Sequence, residues 1–239
     1  MESLQGKFAI VTGGTRGIGR AIAERLLKDG AAVAICGRDA EGVTRAVREM
    51  RKSGRIFGAP ADVSKVESVR AFFAAVDQEF GILDILVNNA GQGFFKKVAE
   101  MTPEEWHRNI DLNLNGAFYC AHEALARFLP RGGGFIVNIS SLAARNPFSG
   151  GAAYNASKFG LNGFTEALML DHRHDNVRVC AVMPGSVDTE FSGPGKSHPE
   201  DTSWMIAPED VAESVSMVLR MPVRTMVSRV EMRPSRPLK

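Results

Sequence analysis

Short apolar runs alternate with longer segments of helical periodicity along the chain, and this alternation constrains the fold more than any other feature. The predicted strands are 8–12, 32–36, 56–61, 83–88, 134–140, 177–183 and a short one near 226–230. Most of these runs are continuously apolar, which is typical of parallel strands that are covered on both faces. Roughly seven β-α repeats predict an α/β fold, a doubly wound (Rossmann) parallel sheet with helices on both faces.

Helices are predicted in the intervals between these strands. The first has apolar residues at helical spacing before Gly30. The others are 40–54, 65–81, one long helix at about 103–129, about 153–172 and about 208–221. A (β/α)₈ barrel is the competing topology, but the repeats are one short and the glycine placement favours an open sheet. Without a linker or internal repeat, residues 1–239 are expected to form a single dinucleotide-binding and catalytic domain.

Composition narrows the class of function. The formal net charge of +2 over 239 residues gives no reason to expect binding to nucleic acid or to a membrane surface. No stretch approaches 18 apolar residues, and the N-terminus lacks the apolar core of a signal peptide. Cys36, Cys120 and Cys180 lie in apolar runs without a CxxC pattern, which is typical of reduced core thiols. We therefore expect a cytoplasmic protein.

A glycine-rich turn, "TGGTRGIG" (12–19), lies between the first predicted strand and the first predicted helix. Glycines in this setting allow a tight turn and a close approach of the backbone to a phosphate. The exposed N–H groups and the helix dipole then attract a pyrophosphate. Gly13, Gly17 and Gly19 have the spacing G-x-x-x-G-x-G rather than G-x-G-x-x-G, so an ordinary glycine-rich turn is the alternative.

The end of the second predicted strand indicates which dinucleotide binds. NAD-binding proteins place an acidic residue there to bond the ribose 2′-hydroxyl, whereas this chain has Gly37 followed by Arg38. Arg16, inside the glycine turn, adds a second cation, and two guanidiniums suit a 2′-phosphate. Asp39 is the opposing residue, because it could pair with an arginine. NADP(H) is favoured over NAD(H).

A tyrosine and a lysine four residues apart form the segment "YNASK" (154–158), although the chain has only two tyrosines. Side chains at this spacing share one face of a helix. Tyr154 and Lys158 are therefore either an acid and the charge that tunes it, or a packed tyrosine beside a solvated lysine.

Six motifs occur in the order found in the short-chain dehydrogenase/reductases, and together they make this chain resemble that family. They are "TGGTRGIG", "NNAG" (88–91), "NLNG" (113–116), "NISS" (138–141), "YNASK" and "PGSVDT" (184–189). The resemblance extends from residue 7 to about residue 234, and the nearest subgroup is the 3-oxoacyl-acyl-carrier-protein reductase-like enzymes.

The resemblance implies a role for each matching position. Tyr154 would be the acid/base, Lys158 its partner, Ser141 the donor to the substrate carbonyl, and Asn113 the holder of a water that links Lys158 to solvent. Ser140 adjoins Ser141, so that assignment depends on family spacing. The full set of expected cofactor-binding residues is Gly13, Thr15, Arg16, Gly17, Ile18, Gly19, Arg38, Asp62, Val63, Asn89, Ala90, Gly91, Tyr154, Lys158, Pro184, Gly185, Val187 and Thr189.

A cation beside Tyr154 would ease ionisation of its phenol. At about 4 Å and an effective dielectric near 20, the interaction is worth up to ~4 kcal/mol, or roughly three pKa units. The amino-terminal end of a helix acts in the same direction. We therefore expect the pKa of Tyr154 to fall from its usual value towards neutral pH, where it suits acid–base catalysis.

Several aromatic side chains are candidates for a substrate pocket, because ligands bind beyond the carboxyl ends of the strands. Core packing is the alternative for each of them. The set, to which one methionine is added, is Phe94, Phe95, Phe148, Phe191, Trp204 and Met205. The loop 184–207 is interpreted as a lid over substrate and cofactor, or else as an ordinary surface loop.

Two charged clusters are further candidate sites. Arg127, Arg131 and Arg173 could attract an acidic carrier protein, although a solvated helix face is the more ordinary interpretation. The segment "DHRHD" (171–175) has histidines two apart, which do not converge on one ion in a helix, so no metal is expected.

These patterns lead to one main expectation about function. It is an NADPH-dependent carbonyl reductase acting on a 3-oxoacyl thioester, with a small ketone or sugar-like carbonyl as the second choice. The C-terminal segment departs from that of dedicated acyl-carrier-protein reductases, which weakens the thioester choice. A catalytically silent NADP(H)-binding scaffold or sensor is the alternative from another class. The resemblance also implies a homo-oligomer, a tetramer or a dimer.

Overall fold

The computed structural model describes residues 1–191 and 201–237, and its centre is one seven-stranded sheet in which every pairing is parallel. The strand order is β3-β2-β1-β4-β5-β6-β7. The strands are β1 (Phe8–Thr12), β2 (Ala32–Gly37), β3 (Ile56–Pro60), β4 (Ile85–Asn88), β5 (Gly134–Ile139), β6 (Val177–Pro184) and β7 (Arg229–Met232). The expected doubly wound sheet is confirmed.

Helices cover both faces of this sheet. They are α1 (Gly17–Lys28), α2 (Ala40–Met50), α3 (Val66–Phe80), α4 (Pro103–Ile110), α5 (Gly116–Phe128), α6 (Ala152–His172) and α7 (Pro208–Leu219). One apolar core forms where α1, α2 and α7 pack on the sheet, and a second forms beneath α3, α5 and α6. None of the described helices is both long enough and apolar enough to cross a membrane.

Neighbouring strand residues enter opposite cores, which explains why the strands are continuously apolar. In β1, Ile10 packs beneath α3, α5 and α6, whereas Val11 packs beneath α1, α2 and α7. Leu86 and Val87 divide between the two cores in the same way. A strand with both faces covered has no exposed side on which to alternate polar residues.

The strand order reverses between β1 and β4, and this switch point positions the site. β1 pairs with β2 on one side and with β4 on the other, so the chain leaves β1 and β4 in opposite directions. In open α/β sheets the crevice beyond the carboxyl ends of strands at such a point is where ligands bind.

The structure differs from the expected elements at two places. The single helix expected at about 103–129 is α4 and α5 joined by a π-helical turn, Asp111–Asn115. The last strand is β7 (Arg229–Met232), slightly later than the expected 226–230. Of the expected lid at 184–207, residues 192–200 lie outside the described residues, while Val187 forms a parallel bridge with Ile206.

Candidate active site

The glycine turn between β1 and α1 has no room for side chains. Gly13 and Gly17 have φ of 65° and 54°, in the left-handed region that favours glycine. A Cβ on Gly19 would lie 2.3 Å from both the Gly13 carbonyl oxygen and Asn89 Nδ2. α1 begins at Gly17, and no side chain caps the start of this helix. The turn therefore has the bare backbone and free helix N–H groups that suit a pyrophosphate.

Thr12, which the motif analysis did not select, joins β1 to the segment after β4. Its hydroxyl oxygen accepts from the backbone N–H groups of Asn89 and Ala90, both at 3.0 Å. Asn89 Nδ2 donates to the carbonyl oxygens of Thr12 (2.9 Å) and Gly13 (3.2 Å). Asn89 and Ala90 thus lie at the switch point, and the Asn89 amide nitrogen is engaged by the backbone of the glycine turn.

The end of β2 presents an arginine to solvent. Arg38 is exposed, and its guanidinium has no hydrogen bond or ion pair with the described parts of the chain. Asp39 accepts from Gly42 N–H at 2.9 Å and so caps α2 rather than pairing with an arginine. Arg16 is also exposed, but it pairs with Glu190 at 3.3 Å. Thr15 lies against the end of β2, since a Cβ on Gly37 would be 3.0 Å from its methyl group.

The two residues that follow β3 are held by local contacts. Asp62 Oδ1 accepts from the Ser64 hydroxyl (2.7 Å) and the Ser64 N–H (3.0 Å). Val63 is buried, and a Cβ on Gly116 would lie 3.0 Å from its side chain. The side chain of Ile18, another expected cofactor residue, packs against the core beneath α1.

Tyr154 and Lys158 lie in the first two turns of α6, and both are buried, with 8% and 4% of their surface exposed. Lys158 Nζ donates to the Ile139 carbonyl oxygen at 2.9 Å and lies 5.9 Å from the centre of the Tyr154 ring. Burial lowers the pKa of Lys158 to about 8. The interpretation as a packed tyrosine beside a solvated lysine is therefore wrong.

The expected lowering of the Tyr154 pKa is also wrong for this structure. Burial raises the pKa of Tyr154 above its ordinary value, and a hydrogen bond with Ser141 offsets only part of that rise. Desolvation disfavours the charged phenolate. The Lys158 ammonium donates to the Ile139 carbonyl, and burial lowers the pKa of Lys158 as well.

The two adjacent serines after β5 point to different partners. Ser141 hydrogen-bonds with Tyr154, and its oxygen accepts from Ala143 N–H at 3.1 Å. The Ser140 hydroxyl donates to Asn162 Oδ1 at 2.7 Å. These contacts identify Ser141, and not Ser140, as the serine that adjoins Tyr154. Sequence spacing alone did not separate the two.

Asn113 lies in the π-helical turn and holds the strand-end segment with both ends of its amide. Its Oδ1 accepts from Gln92 N–H and its Nδ2 donates to the Gln92 carbonyl, each at 2.8 Å. Nδ2 also donates to Ser157 Oγ at 3.0 Å, and the Ser157 hydroxyl donates to the Tyr154 carbonyl at 2.7 Å. Ser157 was missed by motif analysis, although it is the residue before Lys158 and a serine within a helix.

Gly91, which has no side chain, lets the segment after β4 approach Lys158 closely. A Cβ on Gly91 would lie 3.1 Å from Asn113 Oδ1 and 3.7 Å from Lys158 Nζ. Asn113 and Lys158 thus both lie beside Gly91.

The segment that follows β6 faces the glycine turn. A Cβ on Gly17 would lie 3.3 Å from the Thr189 methyl group, and Val187 packs against the core beneath α1. Pro184 ends β6, and Gly185 N–H donates to the Met232 carbonyl at 2.9 Å. Of these expected cofactor residues, Thr189 is the one that the contacts place against the glycine turn.

Three of the candidate pocket aromatics surround Tyr154. The ring centres of Phe95, Phe191 and Phe148 lie 5.6, 5.7 and 6.5 Å from that of Tyr154. Phe94 lies instead under the Arg108 guanidinium, 6.0 Å away. Trp204 Nε1 donates to the Asp201 carbonyl, and Met205 N–H donates to the Thr202 carbonyl.

The other charged clusters make local contacts. Arg127 pairs with Asp77 and Glu123, and Arg131 donates to the Leu83 carbonyl. Two of the three arginines considered for a carrier protein are therefore engaged. In "DHRHD", His172 Nδ1 pairs with Asp175 at 2.9 Å. Within residues 1–191 and 201–237, no three metal-ligating side chains are grouped to hold an ion.

A model of the family described as short chain dehydrogenase matches residues 7–199. Among curated relatives, a 3beta-hydroxysteroid dehydrogenase of Mediterraneibacter gnavus is 40% identical over 190 residues, which are 78% of this chain and 68% of the relative.

Solved structures match over nearly the whole chain. A single-site variant of actinorhodin polyketide ketoreductase with NADPH has a TM-score of 0.89, 32% identity and coverage of 98% of both chains. The 3-ketoacyl-(acyl-carrier-protein) reductase of Brucella melitensis with NADH has a TM-score of 0.88 and 29% identity, covering 98% of this chain and 99% of its own.

Proposed function

The chain belongs to the short-chain dehydrogenase family of oxidoreductases, and from this we propose that it reduces a carbonyl to a secondary alcohol with NADP(H), using Tyr154 as the acid/base. The observation that carries the proposal is the arrangement of Ser141, Tyr154 and Lys158. The Ser141 hydroxyl bonds with Tyr154, and Lys158 is buried on the same helix, beyond the carboxyl ends of the strands.

Each of these side chains has a role that its contacts support. A carbonyl oxygen that gains negative charge needs a proton, which the protonated phenol of Tyr154 donates. Ser141, beside that phenol, would donate a hydrogen bond to the same oxygen. Lys158 places a positive charge near the phenolate that remains. Asn113 holds the Gln92 backbone and Ser157, and thereby positions the site.

The residues around the glycine turn fit a dinucleotide. A Cβ at Gly13 or Gly19 would press on the chain itself, so the turn keeps a bare backbone, which would hold the pyrophosphate at the start of α1. When bound, the nicotinamide supplies the hydride. The other cofactor residues expected from sequence, including Asp62, Asn89 and Thr189, keep that role as part of this proposal.

We propose NADP(H) in preference to NAD(H), on the strength of Arg16 and Arg38. Arg38 has no partner among the described residues, and Asp39 is committed to capping α2. The solved relatives contain NADPH in one case and NADH in another, so the preference has to be measured.

For the substrate, the ketoreductase and the 3-ketoacyl-(acyl-carrier-protein) reductase that share the fold support a 3-oxoacyl thioester, the first choice from sequence. A ketone within a ring system is the second candidate. The hydroxysteroid dehydrogenase relative and the phenylalanines around Tyr154 favour it.

The experiment that tests this function follows the loss of reduced-nicotinamide absorbance with acetoacetyl-coenzyme A, using NADPH and NADH in parallel. We expect turnover with NADPH and a loss of at least about 100-fold in Tyr154→Phe, since acid–base catalysis is typically worth 10²–10⁴-fold. Binding of NADPH should be retained. Undiminished turnover by Tyr154→Phe would remove this residue from the mechanism, and binding without turnover on a wide carbonyl panel would favour a silent binder.

We also propose a cytoplasmic homotetramer. Three buried cysteines without disulfides are compatible with a reducing compartment. Phe118 on α5, together with Phe159 and Leu170 on α6, exposes apolar surface on the two long helices, with 48%, 46% and 58% of these residues accessible.

A further inference from the structure

We infer that the carbonyl substrate carries a bulky, apolar ring system next to its carbonyl group, and that Phe95, Phe148 and Phe191 select it. The inference rests on the proposed function, because it takes the Tyr154 hydroxyl as the point at which the carbonyl is held. It adds the chemical class of the rest of the substrate.

The three rings form a continuous wall on Tyr154. Phe95 meets the Tyr154 ring edge-on at 80°, Phe191 does so at 64°, and Phe148 is tilted at 50°. Phe95 and Phe148 also contact each other, with ring centres 5.6 Å apart. An apolar group attached to a carbonyl at Tyr154 therefore has aromatic rings within reach on which to pack.

Much of this aromatic surface is open, although the tyrosine beneath it is buried. Phe148 is 46% exposed and Phe191 is 37% exposed, whereas Tyr154 is 8% exposed. Open apolar surface beside a buried reactive group gains free energy when an apolar ligand covers it. Aromatic faces and edges add a preference for a flat or ring-shaped ligand.

Two glycines allow the wall to form. A Cβ on Gly93 would lie 2.4 Å from Phe95 Cζ and 3.0 Å from Phe191 Cε1. A Cβ on Gly151 would lie 2.6 Å from Phe148 Cε2. The rings thus occupy positions that any larger residue at 93 or 151 would force them to leave.

Asn155, the second residue of "YNASK", anchors the segment that carries Phe148. Asn155 is buried. In the amide orientation that gives both its oxygen and its nitrogen a partner, the oxygen accepts from Phe148 N–H at 3.2 Å and the nitrogen donates to the Gly151 carbonyl at 2.6 Å. Phe148 is therefore held next to Tyr154 by the same helix that carries Tyr154.

Three charged pairs lie near the wall in the described part of the chain, which argues against a phosphorylated or carboxylated group beside them. Lys96 pairs with Glu105, and Arg145 pairs with Glu231. Glu190, next to Phe191, pairs with Arg16. Lys97, two residues after Phe95 in the chain, is exposed.

The test compares kcat/KM for 2-tetralone, an apolar bicyclic ketone, with that for dihydroxyacetone, a small polar one, at saturating NADPH. We expect at least about a tenfold preference for 2-tetralone. Phe148→Ala should lower kcat/KM for 2-tetralone about tenfold, through lost apolar and ring contact, and change that for dihydroxyacetone less than about twofold. Phe148→Leu should recover part of the loss.

Leu129→Ala is the matched control, because Leu129 is 42% exposed and lies in the turn before β5, at the amino edge of the sheet. It should change neither value. A preference for dihydroxyacetone, or an equal loss for both ketones in Phe148→Ala, would overturn the inference.

Titration calorimetry with 2-tetralol and NADP⁺ separates this inference from the proposed function. Binding that weakens about tenfold in Phe148→Ala, in a protein that reduces no carbonyl, would uphold the aromatic site and reject the reductase. Reduction of acetoacetyl-coenzyme A together with 2-tetralol binding that is indifferent to Phe148 would uphold the reductase and reject the aromatic site.

Discussion

At the scale of single residues, the environment of Tyr154 bears on the protonation state of its phenol. Burial holds its phenol in the protonated form by raising its pKa, and the hydrogen bond with Ser141 only partly opposes this. A protonated phenol is ready to donate to a carbonyl oxygen, whereas alcohol oxidation needs the phenolate. With Tyr154 as the proposed acid/base, its protonated form suits carbonyl reduction at neutral pH.

This difference gives a pH prediction. Because the pKa of Tyr154 is raised, the phenolate fraction grows as pH rises through the alkaline range. We expect the rate of alcohol oxidation to increase with pH from about 7 upwards, while carbonyl reduction shows no such increase. Initial rates in both directions with one alcohol–ketone pair check this. An oxidation rate that is already level near neutral pH would show that the bound cofactor or Lys158 reverses the effect of burial.

Arg38 gives a second prediction at this scale. Arg38→Asp should shift the ratio of kcat/KM for NADPH over NADH towards NADH by about tenfold or more, since it replaces a cation with a carboxylate that repels a 2′-phosphate. Arg45→Asp on the exposed side of α2 is the charge-matched control. An unchanged ratio in Arg38→Asp would mean that the 2′-phosphate lies elsewhere.

Tyr154 and Lys158 also show which features of a site the sequence predicts and which it does not. The spacing of "YNASK" placed Tyr154 and Lys158 on one face of a helix, and that is where they lie. It did not reveal that Lys158 is buried against the Ile139 carbonyl, or that burial would dominate the pKa of Tyr154. Both depend on what other segments bring to the site, which motif spacing does not contain.

At the scale of elements, a buried polar chain ties strands to helices. Asn88 Nδ2 on β4 donates to Asn138 Oδ1 on β5 at 2.9 Å and to the Ala117 carbonyl on α5 at 3.2 Å. Asn138 Nδ2 in turn donates to Thr165 Oγ1 on α6 at 2.8 Å. This chain fixes α5 and α6, the helices beside the site, against the centre of the sheet.

Thr165→Val tests the contribution of this chain. The substitution keeps the side-chain shape but leaves buried Asn138 Nδ2 without its acceptor, so the free energy of unfolding should fall by about 1–3 kcal/mol. Urea denaturation at fixed protein concentration measures the change. Thr165→Ser keeps the hydroxyl and should lose less. Equal stabilities of the Val variant and the original protein would show that Asn138 finds another partner.

Strands and helices were largely predictable because each follows from local pattern. β1, β2 and β6 begin at the expected residues, since apolar runs covered on both faces leave a clear signal. The π-helical turn Asp111–Asn115 was not predictable, because a single widened turn hardly disturbs helical periodicity. Asn113 in this turn bonds across to the Gln92 backbone, a contact between distant parts of the chain.

At the scale of the whole molecule, exposed apolar surface on α5 and α6 suggests how copies associate. Phe118 is 48% exposed and contacts Phe164, His122 and Tyr119, so it stands at the centre of an aromatic patch. Members of the family commonly form oligomers, and such a patch is the kind of surface that an oligomer covers.

Phe118→Glu should therefore reduce the assembly to a smaller species, because it places a charge at the centre of that patch. Light scattering after size-exclusion chromatography gives the mass. Val98→Glu, at a residue that is 72% exposed in the turn Val98–Glu100, is the control and should leave the mass unchanged. An unaltered mass in Phe118→Glu would place the interface on another surface, or show that the chain is monomeric.

The aromatic wall and the reacting groups occupy different kinds of structure. Phe95, Phe148 and Phe191 all lie in connecting segments, whereas Tyr154 and Lys158 lie on α6, which is packed on the sheet. Connecting segments tolerate exchange far better than packed elements do. Evolution can therefore reach new substrates by substituting the three phenylalanines. Such substitutions would change the range of substrates that bind and leave the reacting residues, Tyr154 and Lys158, in place.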